Sequence, residues 1–289
     1  VASKQKILAV SALLSGATMW GVAWYPYRLL EQGGVSGAAS SFLTYFIPLL
    51  VGIAVFRRQL VSVRDYRWML PAIGLTAGWT NLAYVLAVLH GEVMRVLLLF
   101  YLSPLWTVVF ARLLLAERPN FHGYLVMGIS FAGAVVMLWQ PSLGAPLPQN
   151  GAEWFGLSAG LMFAATNVLS RRGQEIPIDL KALAVWAGVS FLSLLALVFQ
   201  PAEAAVLLHL PPLEWVLVLA LGAAMFLVTM TVQYGLTHTP ANQSIVIFLF
   251  ELVVAAISSY LLANESMSAQ EWAGGAMIIA ASLFSGKLE

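Results

Sequence analysis

Apolar positions gather into long runs, at roughly 7–30, 37–56, 68–89, 92–116, 121–139, 153–170, 182–200, 213–236, 240–262 and 270–286. Each run is close to the ~20 residues that a helix needs to cross the hydrocarbon core of a bilayer. The pattern therefore predicts ten membrane-spanning helices. Only His90-Gly91 separates the third run from the fourth, and only about His238 to Pro240 the eighth from the ninth, so each pair is expected to form a tight antiparallel hairpin. The run that follows Lys4 and Lys6 is too long for a cleaved signal peptide and is read as a retained first span.

Composition supports the bilayer as the solvent. Of 289 residues, 61% are hydrophobic and 9% charged, against about 25% charged in soluble domains. A soluble chain of this length has no way to hide so much apolar surface. The formal net charge of +1 gives no reason to expect a nucleic-acid partner, and the absence of cysteine excludes disulfides, thiolate metal sites and a cysteine nucleophile.

Basic residues set the expected orientation. With the N-terminus inside, all Lys and Arg except Arg28 and Arg95 fall on the inner side, and the outer loops "QPSLGAPLPQNGAEW" and "QPAEAAVLLHLPPLEW" hold none. An even number of spans is needed for this segregation and puts both termini in the cytoplasm. The halves also echo each other. A shift of 148 lays Gly74 on Gly222, His90 on His238, Phe100 on Phe248 and Glu117 on Glu265; a shift of 143 lays Ser15 on Ser158, Met19 on Met162, Trp20 on Phe163 and Arg28 on Arg171. Because five spans are odd, the second half enters from the opposite side. The expected fold is thus all-α, with two inverted five-helix repeats, 1–148 and 149–289, and a site at their seam.

Short motifs carry a family likeness. "ATMWGVAWYPYR", "LSPLWTVVFARLLLAERPN" and "FLFELVVAAISSYLLANES" resemble the first, fourth and ninth spans of EamA-type members of the drug/metabolite transporter superfamily. Ala116 and Asn264 stand where that family favours Gly, and Leu252 where it favours Pro. Within the superfamily the chain most resembles YddG-type exporters of aromatic and other amino acids. The resemblance implies ten helices in a bacterial-type inner membrane and export of small metabolites from the cytoplasm through a central cavity. It also implies fifth and tenth helices on the side of a homo-oligomer contact.

Glu251 is the sharpest single residue, because a charged carboxylate in mid-span costs about 2.5–3.5 kcal/mol by insertion scales. It is expected to face protein or a wet cavity, either binding a substrate ammonium group, taking up a proton or packing in protonated form. Ser244 and Ser258, seven residues away on each side, extend a polar stripe. Asn81 and Tyr84 on the third span, Asn167 on the sixth and Gln233 on the eighth supply further polar groups. Such residues either hold a zwitterion or simply join helices. Trp20, Tyr101, Trp106 and Trp186 are candidates for an aromatic cavity wall. Trp24 and Tyr27 are read as belt or cavity residues, and Ser11, Ser15 and Thr18 as a close-packing face. Gly128, Gly133, Gly274 and Gly275 are expected to pack the fifth and tenth helices. Arg28 with Glu31, and Glu92 with Arg95, have the spacing of outer-mouth ion pairs.

No Walker loop, HExxH motif or paired mid-membrane carboxylate is present, and neither His90 nor His238 has a partner at metal-ligand spacing. No metal or cofactor is therefore expected. These gaps count against a membrane-embedded lipid enzyme, and the lack of a Lys inside any expected span counts against a retinal protein. Carriers of nucleotide-sugars or cationic drugs would be expected to show more buried charge. The leading expectation is a secondary transporter of amino acids and related metabolites, not an enzyme.

Overall fold

A computed structural model describes residues 2–91, 93–139, 147–207, 210–263 and 268–284. Among these residues there is no strand. The helices are α1 (Ala2–Gln32), α2 (Gly37–Val55), α3 (Met69–His90), α4 (Val93–Phe100), α5 (Ser103–Phe110), α6 (Phe121–Leu138) and α7 (Gly151–Arg172). They continue with α8 (Ile178–Val198), the short α9 (Pro201–Val206), α10 (Pro212–His238), α11 (Ala241–Phe248), α12 (Phe250–Ala263) and α13 (Ala269–Phe284). Side chains cap several starts, as polar residues before an apolar run should. Asn120 Oδ1 accepts from the Gly123 amide and Asn150 Oδ1 from the Glu153 amide, at 2.7 and 3.0 Å.

Among the described residues, eight segments are long and apolar enough to cross a membrane. They are α1, α2, α3, the run Arg95–Leu115 through α4 and α5, α6, α8, α10, and the run Ala241–Leu262 through α11 and α12. The 22-residue α7 and the 16-residue α13 run beside them, against α3 and α6. The fourth and ninth apolar runs are not the continuous helices expected. Each breaks, after Phe100 and after Phe248, the two residues that the 148-residue shift superposes. The first break precedes Pro104, which lacks an N–H to continue the ladder; the second occurs at Leu249 with no proline at all.

Contacts between helix ends define two faces. On one, the Tyr66 hydroxyl meets the Glu175 carbonyl, and Arg171 meets Glu117 and the Thr237 carbonyl. On the other, Arg95 pairs with Glu153, and Gln270 at the start of α13 donates to the Trp139 carbonyl at the end of α6. The face that carries Lys6 of α1 is the face of Arg171. Large apolar side chains such as Phe191, Val216, Leu227 and Leu261 remain exposed on the bundle's outside, as helices solvated by lipid allow.

Lipid removes the hydrophobic drive between helices, so close backbone approach does the packing. α3 and α8 meet through glycines: a Cβ on Gly74 would stand 2.6 Å from the Ala184 carbonyl, and one on Gly188 would strike the Gly74 backbone. α6 and α13 meet at Gly133 and Gly274 in the same way, whereas Gly128 faces open space and Gly275 makes ordinary contact with Val253. The Ser11, Ser15 and Thr18 face of α1 is exposed, contrary to expectation. Ser15 and Thr18 satisfy their hydroxyls on the carbonyls of Ala12 and Leu14 within the helix, so they need no neighbour. The packed side of α1 is instead Leu13, Gly16, Ala17 and Gly21.

Candidate functional site

The two helix breaks lie against the opposite half of the chain. Gly160 of α7 makes room for the Phe100 backbone at the α4 break, and a Cβ on Gly21 of α1 would lie 2.8 Å from the Glu251 carbonyl oxygen just beyond the α11 break. Four rings gather there. The Phe163 centroid lies 6.3 Å from Trp20, 5.5 Å from Phe100 and 5.6 Å from Phe248, and Trp20 lies 5.5 Å from Phe248. These are the pairs matched by the two sequence shifts, Trp20 with Phe163 and Phe100 with Phe248. Phe100 also packs edge-on against Tyr84 and Tyr101, at 5.2 and 5.1 Å.

Glu251 stands beside this cluster, in the first turn of α12. Its carboxyl faces the Tyr101 hydroxyl, with Tyr84 also in electrostatic reach. The helix N-terminus favours a negative group at that position. Asn81, one turn before Tyr84 on α3, carries a buried Oδ1 with no partner among the described residues. Glu251, Trp20, Phe163, Asn81 and Tyr84 are each only half-buried.

Other expected site residues lie elsewhere. Trp186 is fully buried in a core, stacked on Phe226 at 4.8 Å and pressed on Gly52; it lines no cavity. Trp106 lies half-buried on α5 with its Nε1 unpartnered. Ser258 bonds the Gly21 carbonyl and accepts from Trp24, and the Tyr27 hydroxyl meets Thr44, so these polar groups join helices. The break at Leu249 interrupts the expected Ser244–Glu251–Ser258 stripe. Arg95 pairs at 2.8 Å with Glu153, both almost fully buried; Glu92 lies outside the described residues. Arg28 and Glu31 are exposed and form no ion pair with each other. Glu153, whose Oε atoms also accept from the Gln149 and Asn150 N–H groups, gives Arg95 a preorganised and buried acceptor from another helix.

Gln233 and Asn167 point to a second polar region, toward the Arg171 face. There Lys181, which falls just outside the run at 182–200 read from the sequence, is fully buried in the membrane-crossing α8. It is spent on structure: its ammonium donates to the Ser170 and Gly173 carbonyls, at 3.2 Å each, and to the Thr237 hydroxyl. Glu117 accepts from Arg171 Nε at 3.2 Å and from the Ala241 amide at 2.9 Å, while Arg171 also donates to the Thr237 carbonyl at 2.6 Å. The Glu117 carboxylate thus ties α7 to the start of α11, and Arg171 extends the latch to the end of α10.

The model of the EamA-like transporter family matches the chain twice, over residues 7–139 and 150–286. The chain belongs to the EamA-like transporter family. A protein of Archaeoglobus fulgidus described as an uncharacterized transporter is 22% identical over 203 residues, covering 70% of each chain. A crystal structure of a protein 20% identical in sequence has a TM-score of 0.74, covering 99% of this chain and 98% of the other, and so shares its fold. Membership makes this a multi-pass membrane protein of a transporter family.

In this EamA-like chain the features that sequence reading missed are Phe163, the Arg95–Glu153 pair, buried Lys181 and the Glu117 latch. The repeat offset already pointed to Phe163 by pairing it with Trp20. Nothing local pointed to the ion pairs, whose members lie at least 54 residues apart in sequence. His90 and His238 bond the carbonyls four residues back, at 2.9 and 2.8 Å, each at the C-terminal end of its helix.

Proposed function

We propose that the protein exports neutral amino acids, aromatic ones among them, from the cytoplasm by alternating access between two inverted five-helix repeats, residues 1–148 and 149–289. In this reading α7 and α13 complete a set of ten spans, with both termini cytoplasmic in a bacterial-type inner membrane. The observation that carries it is Glu251 at a helix break, beside Tyr101 and Tyr84 and next to rings drawn from both halves. The carboxylate receives the substrate ammonium group, and the rings receive an apolar or aromatic side chain. The N-terminus of α5, where Ser103 has a buried unpartnered Oγ, offers the positive end of a helix dipole to the substrate carboxylate. The matching pairwise contacts of α3 with α7 and of α10 with α1 support a pseudo-two-fold relation of the halves. The choice of amino acids follows the likeness of the motifs to amino-acid exporters.

The test is flux of labelled amino acids in liposomes that contain only this protein, with and without a pH gradient. Saturable flux of L-phenylalanine is expected. It should fall at least about tenfold in Glu251→Gln, since a lost charge-assisted hydrogen bond is worth ~1.5–3 kcal/mol. Absence of flux for every amino acid tried overturns the reading; flux unchanged in Glu251→Gln removes Glu251 from it.

A further inference from the structure

The Arg171 face contains a cleft of about 370 Å³, lined by Lys6, Arg171, Glu175, Thr237, His238 and Gln243 among others. That is the liquid volume of roughly a dozen waters, ample for a small metabolite. Lining residues alone do not make a site, but the groups behind them are unusual. Gln243 is 1% exposed, yet its Nε2 has no hydrogen-bond partner among the described residues. Asn167 and Gln233, each 2% exposed, stand one helical turn deeper than Arg171 and Thr237 and leave Nδ2 and Oε1 unpartnered. The adjacent Asn242 leaves its Oδ1 in the same state. An unpaired buried amide group costs about 1–3 kcal/mol; of the four, Gln243 lines the cleft itself and the others lie on the helices that wall it, and together they point to a polar occupant.

The arrangement has a direction. Two unmet groups are donors, on Gln243 and Asn167, and two are acceptors, on Gln233 and Asn242. At the mouth Lys6 and Arg171 are matched by Glu175 and by Glu117, which holds Arg171, so neither charge dominates, as suits a ligand that carries one of each. Lys181 does not compete for a ligand, because three oxygens already receive its ammonium. We infer that this cleft is a second binding site, for a compact zwitterion such as an α-amino acid, its carboxylate on the Gln243 amide and Arg171 side and its ammonium toward the Gln233 and Asn242 oxygens. On the transport reading above, it is a loading site that solutes occupy before they reach Glu251.

Because the chain has no cysteine, a single reporter thiol tests this directly. Gln174→Cys puts a thiol on an exposed residue of the cleft wall, and its maleimide labelling is measured with L-phenylalanine, phenethylamine or 3-phenylpropionate. Occupancy slows labelling by 1 + [L]/Kd, about tenfold at ten times Kd. The full slowing is expected for the zwitterion, with weaker slowing for the two analogues that each lack one charge. It should vanish when Gln243→Leu or Asn167→Leu is added and persist with Glu251→Gln. Thermal melting of each variant in detergent confirms that it is folded, and Gln243→Glu, which repels the carboxylate while remaining polar, should also abolish the effect. Equal protection in Gln243→Leu, Gln243→Glu and the parent overturns the site, as does protection lost only in Glu251→Gln. Protection without liposome flux upholds the cleft while transport fails; flux without protection rejects the cleft alone.

Discussion

Gly188→Leu should prevent the bundle from closing, with loss of the monodisperse species in detergent or a large fall in its melting temperature. The nearest atoms to a Cβ at this position are the oxygen, carbon and Cα of Gly74, all backbone. A side-chain neighbour would rotate away; a helix backbone moves only by separating α3 from α8. The same seam also contains Gly74 against Ala184 and Gly78 against Gly188, so one substitution spreads the whole contact. The cost should exceed the ~1–3 kcal/mol typical of overpacked cores. Gly128→Leu is the control, since nothing lies within 4 Å of its Cβ position and the site is exposed. If Gly188→Leu elutes and melts like Gly128→Leu, the glycine seam does not hold the two halves together.

Arg171→Met should release the Glu117 latch and loosen one face of the bundle while the rest stays closed. Arg171 gives up a bond to Glu117 and another to the Thr237 carbonyl, and of the latch only the Glu117–Ala241 contact then remains. Both partners of the ion pair are 22% exposed at the side chain, so solvent screens part of its strength. Charge-assisted bonds of ~1.5–3 kcal/mol correspond to roughly 10- to 150-fold in a local opening equilibrium, with the lower end expected here. Hydrogen exchange in Thr237–Ser244 should accelerate by that factor, with the α3–α8 seam unchanged. Glu117→Gln should accelerate the same segment, because a neutral amide holds Arg171 and the Ala241 amide less well. Unchanged exchange there in both variants would show that the latch carries no load.

These two contacts also mark where sequence reading stopped. Apolar runs were enough to locate the eight segments that are long and apolar enough to cross a membrane among the described residues, since crossing a bilayer demands length and low polarity, both of them local properties. The family resemblance rested on short runs and agrees with the double match over both halves. The offset of 148 had one consequence that the structure made visible: Phe100 and Phe248 both end a helix and both pack on Phe163.

What lay beyond reach was the direction in which each side chain points. In a soluble helix the polar face marks solvent, but in lipid both the buried and the exposed faces are apolar, so periodicity carries little of that information. Hence Trp186, chosen for a cavity wall, is sealed in a core, while the serines of α1 chosen for packing face outward. Pairing across the bundle was out of reach for a related reason: the i, i+3 rule sees only neighbours on one helix, whereas the fold brings Glu153 of α7 to Arg95.

The sequence by itself determined the membrane-crossing runs, the repeat and the isolation of Glu251 in mid-span, because the bilayer imposes those features residue by residue. Only the tertiary structure decided that Glu251 faces Tyr101, that Lys181 is tied up by backbone carbonyls, and that four amides near the Arg171 face stand unpaired. Each of these depends on which helices the glycines allow to approach, and that is a property of pairs of helices rather than of any one segment.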